Sequence, residues 1–234
     1  MPVFPSVKGI FLDIGWTLNY PVSGQWMIPL KALEYMDSNV FNAIPKPRVD
    51  DAFSQGMDYL NKNHLVKSEN EEYQQFLTFY RLISERLPEL ELSKEQVESI
   101  TYDKVYNDKN YLFYDDVRST IEALSMKYRL GIISDTWPSV KRVLCNYGIY
   151  DFFQAITFSC YLGVYKPHPK MYEHALGAMG IPAEHTLFVD DSVANLEGAA
   201  KHGIFPVLIT RKENAEVCDS FTNISKVSEL LTCL

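Results

Sequence analysis

No stretch of this 234-residue sequence is apolar for long enough to cross a bilayer as a helix. Cysteine is scarce: Cys145, Cys160, Cys218 and Cys233 are the only four. None sits in a C-x-x-C pair, and no histidine pair accompanies them at zinc spacing, so no zinc site is expected. Buried free thiols in a reducing compartment are expected instead. A surplus of positive charge is also missing, with 22 Lys and Arg against 30 Asp and Glu and a formal net charge of −8. That balance argues against a general nucleic-acid binder. It leaves room for a small anionic ligand, because a metal and a few basic groups make a local positive site. Low-complexity segments and internal repeats are absent. Residues 1–18, with Pro2, Pro5, Lys8 and Asp13, read as neither a signal peptide nor a membrane span. The expectation is a soluble cytoplasmic protein with no membrane partner.

Hydrophobic residues make up 47% of the chain, enough for a full core. Short apolar runs at residues 7–12, 130–133, 155–158, 186–189 and 205–209 suit buried parallel strands. Between the later runs lie helical patterns at 116–128, 137–147, 169–179 and 193–202, with Gly180 and Gly203 placed as stops. Strand alternating with helix predicts an α/β fold with a doubly wound parallel sheet. The middle differs. Residues 26–38, 49–62, 70–86 and 94–106 read as helices, punctuated by Pro45, Pro47 and Pro88, and 107–114 reads as a return linker. An α-helical domain of residues 19–111 is therefore expected inside a core of residues 1–18 and 112–234. Tyr73, Phe76, Phe79 and Tyr80 fall at helical spacing, and a stripe in the core of that insertion explains them better than a substrate wall.

Four strand ends carry polar residues that a strand end does not require, and ligands of open α/β sheets bind beyond the carboxyl ends of the strands. Asp13 follows the first run: a nucleophile or metal ligand, or else a turn or cap residue. Ser134 and the backbone N–H groups after it, from Asp135 on, are suited to phosphate oxygens, or Ser134 is a plain helix cap. Lys166, in Lys166-Pro167-His168-Pro169, offers a fixed positive charge or is a solvated surface lysine. His168 reads as a loop residue rather than an acid–base group. The adjacent carboxylates Asp190 and Asp191 repel each other unless a divalent cation relieves them, the alternative being a solvated turn. Asn195 is placed to orient their loop.

In this order the segments resemble the haloacid dehalogenase (HAD) superfamily. Its D-x-D-x-T motif is matched by Asp13, Thr17 and the following Leu18, its Ser/Thr by Ser134, its Lys by Lys166 to Pro169, and its acidic pair by Asp190-Asp191. The resemblance implies a Rossmann-like core with a helical cap. It also implies Mg²⁺ held by Asp13, the Gly15 carbonyl, Asp190 and Asp191, with Asp13 as nucleophile. Ser134 and Asp135 would bind phosphate together with Lys166, and the substrate would be a small phosphorylated metabolite.

The chain departs from the family pattern at two positions. Gly15 stands where family phosphatases carry the Asp that protonates the leaving oxygen, a service worth roughly 10²–10⁴ in rate. Trp16 stands where the family commonly has Gly. The expectation is therefore a phosphatase with weakened acid–base catalysis. A weakly catalytic phospho-ligand binder, a phosphotransferase and a haloacid dehalogenase remain as alternatives, and the intact acidic pair speaks against the last.

Overall fold

Gly9–Leu12 (β1) is wholly buried because both of its edges are occupied, by Arg129–Ser134 (β4) on one side and Thr186–Asp190 (β6) on the other. The structure is a computed structural model that describes residues 7–211 and 218–234, so Pro2 and Pro5 lie outside the described residues. The remaining strands are Asn19–Pro21 (β2), Tyr111–Phe113 (β3), Phe153–Phe158 (β5), Phe205–Ile209 (β7) and Thr222–Ile224 (β8). Six of them form one sheet in the order β5-β4-β1-β6-β7-β8, and every pairing is parallel. β2 and β3 form a separate two-stranded sheet.

The helices are Leu30–Tyr35 (α1), Ser38–Ala43 (α2), Lys46–Lys62 (α3), Glu69–Arg86 (α4), Lys94–Tyr106 (α5), Val117–Ser125 (α6), Ser139–Tyr147 (α7), Ser159–Leu162 (α8), Pro169–Met179 (α9), Val193–Lys201 (α10) and Leu230–Cys233 (α11). The chain steps from β1 out to β4 and β5, then returns past β1 to β6 and β7. α9 and α10 share one face of the sheet, where their side chains join Phe11 and Phe188 in one cluster. The α/β, doubly wound parallel fold read from the sequence is the fold observed. Phe11, Met171, Tyr172, Phe188, Leu196 and Leu208 belong to the core cluster on the α9–α10 face. Full burial of an apolar side chain of this size contributes about 1.5–3 kcal/mol. No helix among the described residues is long and apolar enough to cross a membrane.

The chain divides into two compact units, one built from the chain up to Tyr20 and from Phe113 onward, the other Pro21–Leu112. The second unit is helical. The Ser93 hydroxyl and the Gln96 side chain cap each other's backbone and start α5 at the predicted residue. The helix expected over 26–38 is shorter, α1 alone, because Pro29 delays its start, and a further helix not read from the sequence, α2, begins at its far end where the Asp37 side chain accepts from the Asn39 N–H at 2.7 Å. α3 starts before Val49, since Pro47 in its first turn forfeits no helical hydrogen bond. Phe76 and Phe79 are fully buried and Tyr80 nearly so, while Tyr73 is half-buried against Tyr106. Gly56 lets α4 approach α3, as a Cβ there would lie 2.6 Å from the Phe79 ring. The expectation of buried thiols needs correcting: all four cysteines are free, yet only Cys160 is buried, and Cys145 is exposed on α7.

Candidate active site

Parallel register brings three of the four polar groups together; Lys166, read from the sequence as a strand-end group, lies instead in the loop between α8 and α9 and arrives from there. Leu12 pairs with Ile132 of β4 and Val189 of β6, and the Asp13 N–H continues the ladder by donating to the Val189 carbonyl at 2.9 Å. Asp13, Ser134 and Asp190 therefore leave three adjacent strands at one edge of the sheet. One carboxylate oxygen from each of Asp13, Asp190 and Asp191 lies within 4.8 Å of the others, a set that could hold a hard cation.

Lys166 reaches into this cluster with a side chain only 2% exposed, so it is not a solvated lysine. Its ammonium donates to Asp13 Oδ1 at 2.7 Å, to Asp190 Oδ2 at 2.6 Å and to the Ile133 carbonyl at 3.2 Å. Those contacts use all three ammonium donors. Burial alone would lower its pKa, but the charges of Asp13, Asp190 and Asp135 outweigh that and hold it well above the usual lysine value. Burial pushes Asp13 up to about 7, with Lys166 opposing and Asp190 and Asp191 adding to the rise. The Asp13 Oδ2 atom receives no hydrogen bond from the described residues. One oxygen of Asp13 is thus held and the other is open.

Asp190 is fully buried, which rules out a solvated turn. Its Oδ1 accepts from the Ser192 N–H at 2.8 Å and from Asn195 Nδ2 at 3.1 Å, and Asn195 also reaches Oδ2 at 3.2 Å. The Tyr172 hydroxyl donates to the Asn195 carbonyl at 2.7 Å and secures that loop, a contact with no signal in the sequence. Ser134 ends β4 and is buried; α7 starts at Ser139, so Ser134 is not its cap. Asp135 stays exposed, and its Oδ1 accepts the Lys166 backbone N–H at 2.9 Å. The side chain thus fixes the Lys166 backbone, and the expected anion contact, the Asp135 backbone N–H, does not compete with it. His168 caps α9 through Nδ1, which accepts from the Lys170 N–H at 3.2 Å.

The turn after Asp13 is tight. The Ile14 carbonyl accepts from the N–H groups of Thr17, Leu18 and Asn19 at 3.3, 2.8 and 3.0 Å, and the Trp16 N–H donates to the Asn19 carbonyl at 2.7 Å. The Gly15 carbonyl takes none of these bonds and so is available as an oxygen ligand. Trp16 has φ +56, a conformation costing a side-chain-bearing residue roughly 1–2 kcal/mol. Its ring stacks on Tyr20 with centroids 6.3 Å apart.

Residues 30–203 match the family description haloacid dehalogenase-like hydrolase. A glyceraldehyde 3-phosphate phosphatase of Methanocaldococcus jannaschii is 26% identical over 96% of this chain and 96% of its own length. One from Pyrococcus abyssi is 31% identical over 42% of this chain, and the match spans only 44% of that protein. A HAD phosphatase from Thermococcus onnurineus superposes with a TM-score of 0.58 at 20% identity, covering 97% of both chains. A 2-haloacid dehalogenase from Pseudomonas syringae pv. Tomato does so with a TM-score of 0.63 at 16% identity, again over 97% of both. Identities this low extend the fold, not the substrate.

Proposed function

From its membership of the haloacid dehalogenase-like hydrolase family, we propose that this enzyme is a Mg²⁺-dependent phosphatase acting on a small organic phosphate through an aspartyl-phosphate on Asp13. The observation that carries the reading is the division of labour on Asp13: Oδ1 is fixed by a buried ammonium at 2.7 Å, and Oδ2 is open. Asp13 Oδ2 attacks phosphorus as the P–O bond breaks and the leaving group departs as its oxyanion, and water then attacks the acyl phosphate, releasing inorganic phosphate and regenerating the carboxylate. Lys166 holds the nucleophile in place and offsets charge on the phosphoryl group. Ser134 and the Asp135 N–H bind a phosphoryl oxygen. Asp13, Asp190, Asp191 and the Gly15 carbonyl would hold the cation; all are hard oxygen donors. When bound, the ion supplies further positive charge to the phosphoryl oxygens. The archaeal relatives named for glyceraldehyde 3-phosphate support a small phosphorylated metabolite as substrate. The test is release of para-nitrophenol from para-nitrophenyl phosphate with Mg²⁺ and with EDTA; no metal-dependent release by folded protein would overturn the reading.

Gly15 favours one qualification. Without a carboxylate there, the rate should depend steeply on leaving-group pKa, aryl and acyl phosphates being favoured over alkyl ones. Gly15→Asp is expected to raise kcat/KM on an alkyl phosphate by roughly 10–100-fold and on para-nitrophenyl phosphate far less. Equal response of the two substrates would remove the missing acid from the account. Binding of phosphate ligands without turnover would instead support a binding protein.

The cation also has a pH signature. A carboxyl raised from 3.8 to about 7 on folding stabilises the fold below the lower value and loses that contribution as pH rises through the upper one. Metal binding requires the deprotonated carboxylate and works in the opposite sense. The gain in melting temperature from Mg²⁺ should therefore grow between about pH 4 and pH 7. A gain that is flat with pH would separate the metal from Asp13.

A further inference from the structure

Arg211 stands two residues beyond β7, at the same edge of the sheet as the acidic cluster, and belongs to none of the family's motifs. Its side chain is only 5% exposed, an unusual position for a guanidinium on a loop. Nη1 lies 2.9 Å from Asp116 Oδ1, and Nη2 donates to Asp116 Oδ2 at 3.3 Å. Nε and Nη2 both donate to the Thr17 carbonyl, at 3.3 and 3.2 Å. The plane of the group lies over the Tyr114 ring, 4.0 Å from its centroid. Asp116 Oδ2 is fixed in turn by the Ser228 N–H at 3.1 Å.

Thr17 closes the turn that begins at Asp13. Tyr114, beneath the guanidinium, donates its N–H to the Leu18 carbonyl at 3.1 Å, and its ring packs on Tyr20 at 4.8 Å, which carries Trp16. Arg211 therefore grips this turn twice, through the Thr17 carbonyl and through the Tyr114–Tyr20–Trp16 rings. The turn needs such a hold. Trp16 sits in the left-handed region at φ +56, and Thr17 Oγ1 and Asn19 Oδ1 are buried with no hydrogen-bond partner. Both cost stability that the bonds to the Ile14 carbonyl offset only in part, so a hold from outside the turn adds to its definition. Only a planar fork can bond a carboxylate and a carbonyl while stacking on a ring, so lysine is a poor replacement.

We propose that Arg211 is a positioning residue for the reaction: it fixes the turn carrying Asp13 and the Gly15 carbonyl, on the flank away from Lys166. The proposal rests on the phosphatase reading above. It is tested with Arg211→Lys, Arg211→Met and Asp116→Asn, each measured for kcat and KM on para-nitrophenyl phosphate, Mg²⁺ affinity by calorimetry without substrate, and melting temperature. Leu144→Ala, a fully buried change in α7, serves as a destabilised control. The expected result is a kcat loss of about 10–100-fold with KM within about threefold, as for a small displacement of a reacting group. Mg²⁺ affinity should weaken at least fivefold, and the charge-preserving Arg211→Lys should not rescue either quantity. Asp116→Asn should act in the same direction and add little to Arg211→Lys, because both break one network. Equal kcat and Mg²⁺ affinity in wild type and Arg211→Lys would overturn the proposal. So would a kcat loss that Leu144→Ala reproduces at a matched drop in melting temperature. If Arg211→Met does not fold, Asp116→Asn carries the same comparison. A wild-type protein that neither turns over para-nitrophenyl phosphate nor binds Mg²⁺ overturns the phosphatase reading and this role together.

Discussion

Asp13→Asn should lower turnover of para-nitrophenyl phosphate by on the order of 10⁴ or more, as removal of a covalent nucleophile does, while the protein remains folded. Asparagine keeps the shape, and its amide oxygen can still accept from Lys166. The position of Oδ2, which no described residue hydrogen-bonds, then carries an amide nitrogen that does not attack phosphorus. The substitution also removes one negative charge from a cluster whose three carboxylates approach within 4.8 Å. Burial disfavours the charged form of Asp13, so the metal-free variant should melt at or above the wild-type temperature. A drop in activity with a rise or no change in melting temperature is hard to produce by misfolding, and makes this the sharpest discriminator. Acid-quenched wild type given radiolabelled substrate should carry an acyl-phosphate label that the variant lacks. Residual turnover within tenfold of wild type would mean that water attacks directly and that Asp13 is a ligand only.

The sequence carries this site unevenly, for physical reasons. The strands that bear it are buried on both faces, so they read as apolar runs, and a carboxylate closing such a run stands out. That is why Asp13 and the Asp190-Asp191 pair stand out in the sequence. A capping box such as Ser93 with Gln96 is local, and it fixed α5 to the residue. What the sequence hides is non-local. Burial of the Lys166 ammonium depends on carboxylates 153 and 24 residues away. Arg211 meets Thr17 across 194 residues with no spacing to betray it. The bond from the Lys166 backbone N–H to the Asp135 carboxylate, 31 residues away in sequence, is equally invisible to local spacing. Helix limits near Pro29 and Pro47 are not legible locally, because proline reads as a break in either case while its effect depends on whether it falls before the helix or in its first turn.

Lys166→Met is expected to cost on the order of 10²–10³ in turnover, comparable to losing a preorganised charge contact in a closed site, and, unlike Asp13→Asn, to destabilise the fold. Methionine fills the volume of the stem but leaves Asp13 and Asp190 facing each other with the ammonium gone from 2.7 and 2.6 Å. Breaking a buried ion pair by removing one partner typically costs about 3–5 kcal/mol, because the remaining charge is uncompensated. The protein can escape part of that cost by protonating Asp13. Lys166 is the group that lowers the Asp13 pKa, so its loss raises that pKa beyond about 7. The sign follows: a carboxyl raised further on folding holds stability at low pH and surrenders it as pH climbs. Lys166→Met should therefore melt close to wild type near pH 4 and fall progressively below it toward neutrality. Mg²⁺ replaces part of the missing charge, so it should raise the melting temperature of this variant more than that of wild type at pH 7. Turnover would stay low, because a cation on the acidic cluster does not fix Asp13 Oδ1 from the Lys166 side. A variant that melts with wild type at every pH would show that the ammonium is not what balances these carboxylates, and the open oxygen on Asp13 would lose its explanation.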